Sequence, residues 1–355
     1  MNVMFLEPFF VDSHRSFALG LQKHSKYNVQ LITLPGRHWK WRMYGSAISF
    51  SKEPLDQADL IIASDMVDVA CLRGLNPEIN APIITYFHEN QLTYPWSPTD
   101  LDVALNRDRH YAFTNYTSAL ASEEVWFNSE YNKLSFIQAL NPFLKDFPDH
   151  QNLDTVEQIE RKSKVMHLGL DLPELQTSAK KPTFRNPTIL WNHRWEYDKN
   201  PEEFFNALFK LSEDFEFDLI VLGKAQKVQP NIFDEAQNRL KNRIIHWGWT
   251  DSKEHYWDLL SRCDIVPVTS YQEFFGISVI EAIHAGATPL LPHRLVYPEH
   301  ALPNDLYYEN ELYPALKKLL NSKKPSKVDV SRFSWKHQIS NFDAAMKAAH
   351  IRSTQ

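Results

Sequence analysis

The chain has little cysteine and little glycine for its 355 residues. Its two cysteines, Cys71 and Cys263, lie far apart without metal-type spacing, which favours a reducing cytoplasm over a disulfide-stabilised secreted protein. The nine glycines argue against a linker-rich protein. No apolar run reaches the length that spans a bilayer, and the N-terminal segment lacks the basic flank of a signal peptide. We therefore expect a globular cytoplasmic protein without a membrane partner.

Acidic residues are missing from one long segment, although the whole chain has a formal net charge of -6. None occurs between Asp12 and Glu53, and the segment contains seven lysines and arginines. Because the charge of a whole chain does not exclude a local basic face, this segment could contact a polyanion.

Within that segment, residues 34–45 interleave cations with aromatic side chains. The residues concerned are Arg37, His38, Trp39, Lys40, Trp41 and Arg42. Cations attract phosphates and aromatic rings stack on unpaired bases, so we expect a loop that contacts RNA. The alternative is a loop whose tryptophans only pack on the body of the domain.

Short apolar runs alternate with helix-like segments along the chain. Examples are strands predicted at 83–87 and 188–192, and helices predicted at 109–121 and 201–211. The pattern covers 1–171, stops at a polar, proline-bounded linker at 172–187, and restarts over 188–332. It predicts an α/β fold with two parallel-sheet domains. Ligands of such sheets bind beyond the carboxyl ends of the strands, so we expect a site in the cleft between the domains.

The segment 271–286 follows one of the apolar runs and places two carboxylates around a glycine. Glu273 lies on a predicted strand-to-helix turn, Gly276 permits close approach to the backbone, and Glu281 lies inside the helix. The amides at the start of that helix attract phosphate. This order suits a ligand with both hydroxyls and phosphate, such as a sugar nucleotide. Two glutamates at this spacing, without further motif residues, are more often ordinary surface residues.

Arg194 and Lys199 flank another predicted turn between a strand and a helix. Two cations at a helix start do not favour the helix dipole, but they would neutralise a diphosphate. The alternative is that both are exposed residues that aid solubility.

The string Glu-Phe-Phe-Gly-x4-Glu-Ala-x3-Gly over 273–286 resembles the signature of retaining glycosyltransferases of the GT-B architecture. The resemblance implies two Rossmann-like domains with parallel sheets that face each other across a cleft. It also implies that Glu273 binds donor-sugar hydroxyls and that Glu281 binds the ribose. The amides around Phe274, Phe275 and Gly276 would hold sugar and phosphate. In relatives, a C-terminal helix like 333–352 crosses back onto the first domain.

The same resemblance implies further site residues. Arg194 and Lys199 match cations on the donor diphosphate, and His88 matches a histidine near the donor sugar. Together with Glu273, these are the expected catalytic residues. The remaining expected donor-binding residues are Asn192, Trp249 and Ile277. Since the cations take the place of a metal, neither a metal nor a cofactor is expected.

Four further segments indicate which family of GT-B glycosyltransferases the chain resembles. They are Leu-Glu-Pro-Phe-x3-Ser-His at 6–14, Leu-Pro-Gly-Arg-His-Trp-Lys-Trp-Arg at 34–42, the stretch 86–95, and the stretch 191–201. Their combination resembles the tRNA-queuosine alpha-mannosyltransferase family. It implies GDP-mannose as the donor, the queuosine at the wobble position of a tRNA of the tRNA-Asp type as the acceptor, an acceptor domain at 1–171 and a donor domain at 188–332. A wobble base lies in the anticodon loop, whose unpaired bases aromatic side chains can stack against.

The expected acceptor and tRNA contacts lie in three segments of the first domain. They are Ser13, His14 and Arg15, the residues Arg37, His38, Trp39, Lys40, Trp41 and Arg42, and the pair Asn90 and Gln91. Many GT-B enzymes have a glycine-rich turn after the first strand, and the loop at 7–15 of this chain does not. Its side chains would therefore take the place of the backbone amides that such a turn offers to a ligand. Two alternatives remain open: a GT-B glycosyltransferase acting on a lipid, polysaccharide or small molecule, and a non-catalytic RNA-binding protein.

Overall fold

The computed structural model describes residues 1–97, 100–105, 107–174, 186–225, 229–300, 302–322 and 328–353. Most of the predicted linker 172–187 lies outside these residues. The chain divides into two compact units, Met1–Asp171 with Arg332–Gln355, and Leu172–Ser331.

The first unit is built on a parallel sheet. Its strands are β1 (Asn2–Phe10), β2 (Asn28–Pro35), β3 (Leu60–Ser64), β4 (Ile83–Phe87), β5 (Glu124–Phe127) and β6 (Ser163–Val165). They lie in the order β2-β1-β3-β4-β5-β6. The helices are α1 (Asp12–His24), α2 (Trp39–Phe50), α3 (Val69–Leu75), α4 (Leu101–Ala104), α5 (Arg109–Ala121), α6 (Glu130–Lys145) and α7 (Asp154–Arg161). Every residue of β3 and β4 is buried, as expected for a sheet with helices on both faces.

The second unit repeats this plan. Its strands are β7 (Thr188–Asn192), β8 (Asp218–Leu222), β9 (Ile244–Gly248), β10 (Ile265–Pro267), β11 (Thr288–Pro292) and β12 (Tyr307–Tyr308). They are parallel and lie in the order β12-β11-β10-β7-β8-β9. The helices are α8 (Pro201–Leu211), α9 (Ile232–Arg239), α10 (Lys253–Arg262), α11 (Ile277–His284) and α12 (Leu312–Asn321). The strand order reverses between β7 and β10, which opens a crevice at their carboxyl ends.

The predicted α/β class with two parallel sheets is confirmed, but two local predictions are wrong. Residues 39–45 belong to helix α2 and are not part of a loop. The loop predicted after the first strand is also shorter, because β1 continues to Phe10 and α1 begins at Asp12. Both errors have one cause. The two segments are rich in aromatic residues, and the packing of these rings, which local sequence patterns do not show, decides the backbone conformation.

A last helix, α13 (Trp335–Ser353), completes the core of the first unit. The Trp335 side chain is 2% exposed, and its ring lies 5.6 Å from that of Phe17 in α1. A Cβ atom at Gly20 would lie 2.0 Å from Trp335 Nε1, and one at Gly169 would lie 2.2 Å from Trp335 Cδ2. Glycine is therefore required at both positions for the indole to fit. No helix among the described residues has both the length and the apolar content needed to cross a membrane.

We predict that Gly20→Ala lowers the free energy of unfolding by about 1–3 kcal/mol, because the added methyl group must displace a packed indole. Gly74→Ala is the matched control: Gly74 also lies in a helix, α3, and an added Cβ meets no atom within 4 Å. That control should leave stability unchanged or raise it by about 0.5–1 kcal/mol. Denaturant unfolding followed by circular dichroism measures both. Equal effects of the two substitutions would contradict the packing of Trp335.

Candidate active site

The crevice at the carboxyl ends of β7 and β10 contains a buried ion pair. The Lys199 ammonium donates to the Gln272 carbonyl oxygen at 2.7 Å and lies 3.0 Å from Asp198 Oδ2. It also lies 3.4 Å from Glu273 Oε2. Burial alone would raise the pKa of Glu273, but Lys199 and His193 hold it below its ordinary value. The structure thus brings together two residues that were predicted separately as catalytic.

The loop before α11 is shaped by the second oxygen of the same carboxylate. Glu273 Oε1 accepts from the amides of Phe275 and Gly276 at 3.3 and 3.1 Å. Gly276 has a φ of 86°, and His300 Nε2 donates to the Phe275 carbonyl oxygen at 3.0 Å. The amides of Phe275 and Gly276, predicted to hold sugar and phosphate, are therefore directed at Glu273 in this structure. The buried Phe274 ring lies in the same loop, and Ile277 opens α11.

Glu281 is oriented by a tyrosine that the sequence did not indicate. The Tyr256 hydroxyl donates to Glu281 Oε2 at 2.6 Å, and Asn192 Nδ2 donates to the Tyr256 oxygen at 2.9 Å. Burial raises the pKa of both Glu281 and Tyr256. The predicted donor residues Asn192 and Glu281 are thus linked through one phenol. Tyr256 lies on α10 among other polar residues, without a motif that could have singled it out.

Arg194 and Trp249 have exposed side chains. The Arg194 guanidinium lies 3.3 Å from Glu196, and its side chain is 52% exposed. Trp249 is 59% exposed, and its indole donates to Asp251 at 2.7 Å. Between Asn192 and Arg194, His193 is buried, and that burial together with the charge of Lys199 lowers its pKa to about 4. His193 was not among the predicted site residues, because a histidine after a strand is more often structural.

A second cluster of buried polar side chains lies in the first unit, at the carboxyl ends of β1, β3 and β4. His14 Nδ1 and Glu7 Oε2 lie 3.0 Å apart, and the His14 and His88 rings lie 4.2 Å apart. Asp65 Oδ1 accepts from the His88 amide at 2.9 Å. His14, predicted on a loop, therefore lies in the first turn of α1 with a carboxylate partner. Neither Glu7 nor Asp65 was predicted as a site residue, because single acids after strands carry no motif.

Charge and burial divide this cluster into two chemically different halves. Burial alone would lower the pKa of His14, but Glu7, with smaller effects of Asp65 and Glu89, raises it to about 9. Burial, reinforced by the charge of His14, holds the pKa of His88 well below its ordinary value. Burial raises the pKa of the Asp65 carboxyl. At neutral pH the first unit therefore contains an imidazolium paired with Glu7 beside a neutral imidazole.

Ser13 and Arg15 accompany His14 at the start of α1. Arg15 is exposed, and its guanidinium lies 5.8 Å from the centre of the Phe10 ring. Asn90 and Gln91, in contrast, are buried and bonded within the unit. Asn90 Nδ2 donates to Asn132 Oδ1 at 2.8 Å, and the Gln91 amide donates to Asn115 at 2.8 Å. The contacts that the structure gives Asn90 and Gln91 shape the loop after β4.

The basic, aromatic segment is split between buried and exposed residues. Lys40 donates to Asp100 at 2.6 Å and also to Asp102, and its ammonium lies 5.2 Å from the Trp96 ring. Trp39 packs 5.1 Å from Tyr111. Sequence-distant acids thus neutralise Lys40, which had been predicted as an RNA contact because its own segment lacks acids. Arg37 and His38 are exposed, and the half-buried Arg42 donates to the Pro35 carbonyl oxygen.

Exposed aromatic side chains of the first unit surround a cleft of about 520 Å³. Its lining consists of Tyr44, Arg109, His110, Phe113, Thr114, Asp146 and Phe147. Trp41, one turn before Tyr44 on α2, is 62% exposed. Flat rings next to a guanidinium can stack on unpaired bases. This surface, Trp41 with the cleft, combines the exposed members of the predicted segment with residues of α5.

Comparisons with known proteins agree with this geometry. Residues 2–170 match a family model described as tRNA-queuosine alpha-mannosyltransferase N-terminal, and residues 176–303 match glycosyl transferases group 1. The tRNA-queuosine alpha-mannosyltransferase of Drosophila melanogaster is 33% identical over an alignment of 333 residues, which covers 90% of this chain and 86% of the relative.

Solved structures share the fold at low sequence identity. The crystal structure of Anabaena Alr3699/HepE in complex with UDP and glucose has a TM-score of 0.67, 15% identity, and coverage of 98% of this chain and 100% of that chain. The N-terminal domain of Candida albicans trehalose-6-phosphate phosphatase has a TM-score of 0.68 and 11% identity, and covers 100% of this chain and 99% of its own. The predicted GT-B fold is thereby confirmed.

We predict that Glu7→Gln lowers the pKa of His14 from about 9 to below ~6.5, since burial then acts without the carboxylate. In the native protein, the raised pKa means that the Glu7–His14 pair stabilises the fold fully below ~6.5 and loses this contribution as the pH rises through about 9. NMR titration of the imidazole nitrogens measures the pKa directly. Glu89→Gln should cause a smaller decrease. A His14 pKa that stays near 9 without Glu7 would contradict the assignment.

Proposed function

The chain belongs to the tRNA-queuosine alpha-mannosyltransferase family, and we propose that it transfers mannose from GDP-mannose to the queuosine at the wobble position of a tRNA of the tRNA-Asp type, with retention of configuration. The observation that carries the proposal is the Lys199–Glu273 pair in a unit that matches glycosyl transferases group 1. The donor is a substrate, and no cofactor or metal is proposed. The reducing environment suggested by the two separate cysteines favours the cytoplasm, where tRNA is available.

The donor half of the reaction requires a place for negative charge. Lys199 is buried and held by three oxygen-bearing neighbours, so its ammonium is fixed before a ligand arrives. Arg194 lies five positions earlier in the chain, and its side chain is exposed. We assign the diphosphate to these two cations and to the start of α11. Glu273 and Glu281 would then accept hydrogen bonds from hydroxyls of the sugar and the ribose.

The chemistry places few demands on acid–base groups. A nucleoside diphosphate is a good leaving group, so binding both substrates and stabilising the departing charge can supply most of the rate. The acceptor hydroxyl would attack the anomeric carbon from the face that the diphosphate leaves, and its proton would pass to the diphosphate. In this scheme Lys199 and Arg194 stabilise the developing charge, and His88 orients the acceptor hydroxyl toward the sugar.

The acceptor half of the reaction requires a surface for a single-stranded loop. The cleft with Trp41 offers exposed rings and the Arg109 guanidinium on one face of the first unit. The exposed cations Arg15 and Arg37 lie on the same unit and suit phosphates. The residues 2–170 that match the family's N-terminal model include all of these side chains. We therefore assign the anticodon loop to this unit.

We predict that Arg194→Ala and Glu273→Ala each reduce mannose transfer by at least 100-fold, since each removes a charged contact needed to bind or activate the donor. Mass spectrometry of nucleosides from queuosine-containing tRNA, incubated with enzyme and GDP-mannose, measures the product. Arg262→Ala is the control, because Arg262 pairs with Asp258 on the surface of α10. Near-normal transfer by Arg194→Ala or Glu273→Ala would refute the donor site, and transfer to a non-RNA acceptor only would refute the proposed substrate.

We predict that Trp41→Ala combined with Tyr44→Ala weakens tRNA binding by about 10-fold or more, because stacking on one base is worth about 1–3 kcal/mol. Ile48→Ala is the control, since Ile48 is exposed further along α2 but has no aromatic ring. Filter binding to tRNA and hydrolysis of GDP-mannose without acceptor are measured side by side. Donor hydrolysis should not change. An equal loss of both activities would show that the aromatic pair supports the fold and not the acceptor.

A further inference from the structure

Three residues at the carboxyl ends of β3 and β4 have buried polar atoms without a hydrogen-bond partner among the described residues. The atoms are Ser64 Oγ, Asp65 Oδ2, and Nδ1 and Nε2 of His88. Ser64 and Asp65 are 0% exposed and His88 is 6% exposed. Burying a polar atom without a hydrogen-bond partner destabilises the fold, so four such atoms in neighbouring residues indicate a ligand site. Of these three residues, only His88 was predicted from the sequence as a site residue.

The hydrogen-bonding capacity of these atoms defines the ligand. In the ionised form of Asp65, Oδ2 needs a donor, as does one nitrogen of the neutral His88. The other His88 nitrogen and the Ser64 hydroxyl need acceptors. Two neighbouring hydroxyl groups meet these needs, since each donates once and accepts twice. An ammonium group would leave the His88 N–H unsatisfied. A phosphate would offer no donor and would face the acidic side chains of Glu7, Asp65 and Glu89.

We propose that Ser64, Asp65 and His88 bind the vicinal diol on the cyclopentene ring of the queuosine acceptor, an inference that rests on the proposed function. Two observations favour the acceptor over the hexose of the donor. The residues lie within 2–170, the part that matches the family's N-terminal model. The carboxyl groups of Asp65 and Glu89 also suit the amine that links the diol to the base, whereas the Glu7 carboxylate is already paired with His14.

The neighbouring Glu7–His14 pair would orient this site without contacting the diol. Glu7 accepts from the Phe9 amide through Oε1 at 2.8 Å and faces His14 Nδ1 through Oε2. His14 lies against the His88 ring at 4.2 Å and so fixes its position. Ligand atoms of Glu7, His14 and His88 also lie within 4.8 Å of one another, a spacing that could hold a metal ion. Against a metal, the Nδ1 atom of His14 already faces Glu7 at hydrogen-bonding distance, and a metal would have to displace that contact.

The test is Asp65→Asn, which keeps an oxygen for the His88 amide but replaces Oδ2 by a donor. We expect the KM for queuosine-containing tRNA to rise at least 10-fold, while the KM for GDP-mannose and its hydrolysis do not change. Binding of a tRNA whose wobble base lacks the cyclopentene ring should also be unchanged. Ser64→Ala, the milder variant, should raise the same KM by a smaller factor. Thr85→Val is the control, because Thr85 is buried in β4 with Ser122 as its partner at 2.6 Å.

Each alternative result has a defined meaning. A rise in the KM for GDP-mannose alone would assign the hydroxyl pair to the hexose and overturn the proposal. One equivalent of metal in the purified protein, lost in His88→Ala, would overturn it in favour of a metal site. Normal kinetics of folded Asp65→Asn and Ser64→Ala, with the melting temperature of Thr85→Val as reference, would overturn it as well. Absence of mannose transfer by the unmodified enzyme would instead refute the proposed function.

Discussion

The donor site depends on keeping one lysine charged inside the protein. An ammonium group taken out of water is costly unless carbonyl and carboxylate oxygens replace its hydration. Here Asp198, Glu273 and the Gln272 carbonyl do so, and they come from the two chain segments that follow β7 and β10. The same carboxylate that stabilises Lys199 also folds the loop before α11. Removing either charge would therefore disturb both the electrostatics of the site and the shape of its wall.

Both polar clusters arise from one topological rule. In the second unit the strand order reverses between β7 and β10, and the Lys199–Glu273 pair lies beyond these strands. In the first unit the order β2-β1-β3 places β1 next to β3. Glu7 lies near the end of β1, His14 follows β1, and Asp65 follows β3. Helices from neighbouring strands diverge at such a point, so side chains can be buried there without being packed by apolar residues. The fold thus provides two polar crevices, and the sequence determines what each binds.

Motifs with regular spacing could be predicted, and contacts between distant segments could not. The helices predicted at 109–121 and 201–211 match α5 and α8. In α8 the apolar residues recur at helical spacing, and Phe204, Leu208 and Leu211 are buried. Glu273, Glu281, Arg194 and Lys199 stood out as residues of motifs. Tyr256 and Asp65 did not, since their roles arise only when α10 meets α11 and when β3 lies beside β4. The acidic partners of Lys40 could not be predicted for the same reason, since Asp100 and Asp102 are 60 and 62 positions away along the chain.

The indole of Trp335 packs against Gly20 and Gly169, which lie within residues 1–171 of the first unit. More than 160 residues of the chain separate Trp335 from these neighbours. During synthesis these residues leave the ribosome first, followed by the entire second unit, before α13 is available. Until then Phe17, Gly20 and Gly169 border an open apolar groove. The first unit therefore stays incomplete while the second one is synthesised, so the second unit can reach its native state before the first.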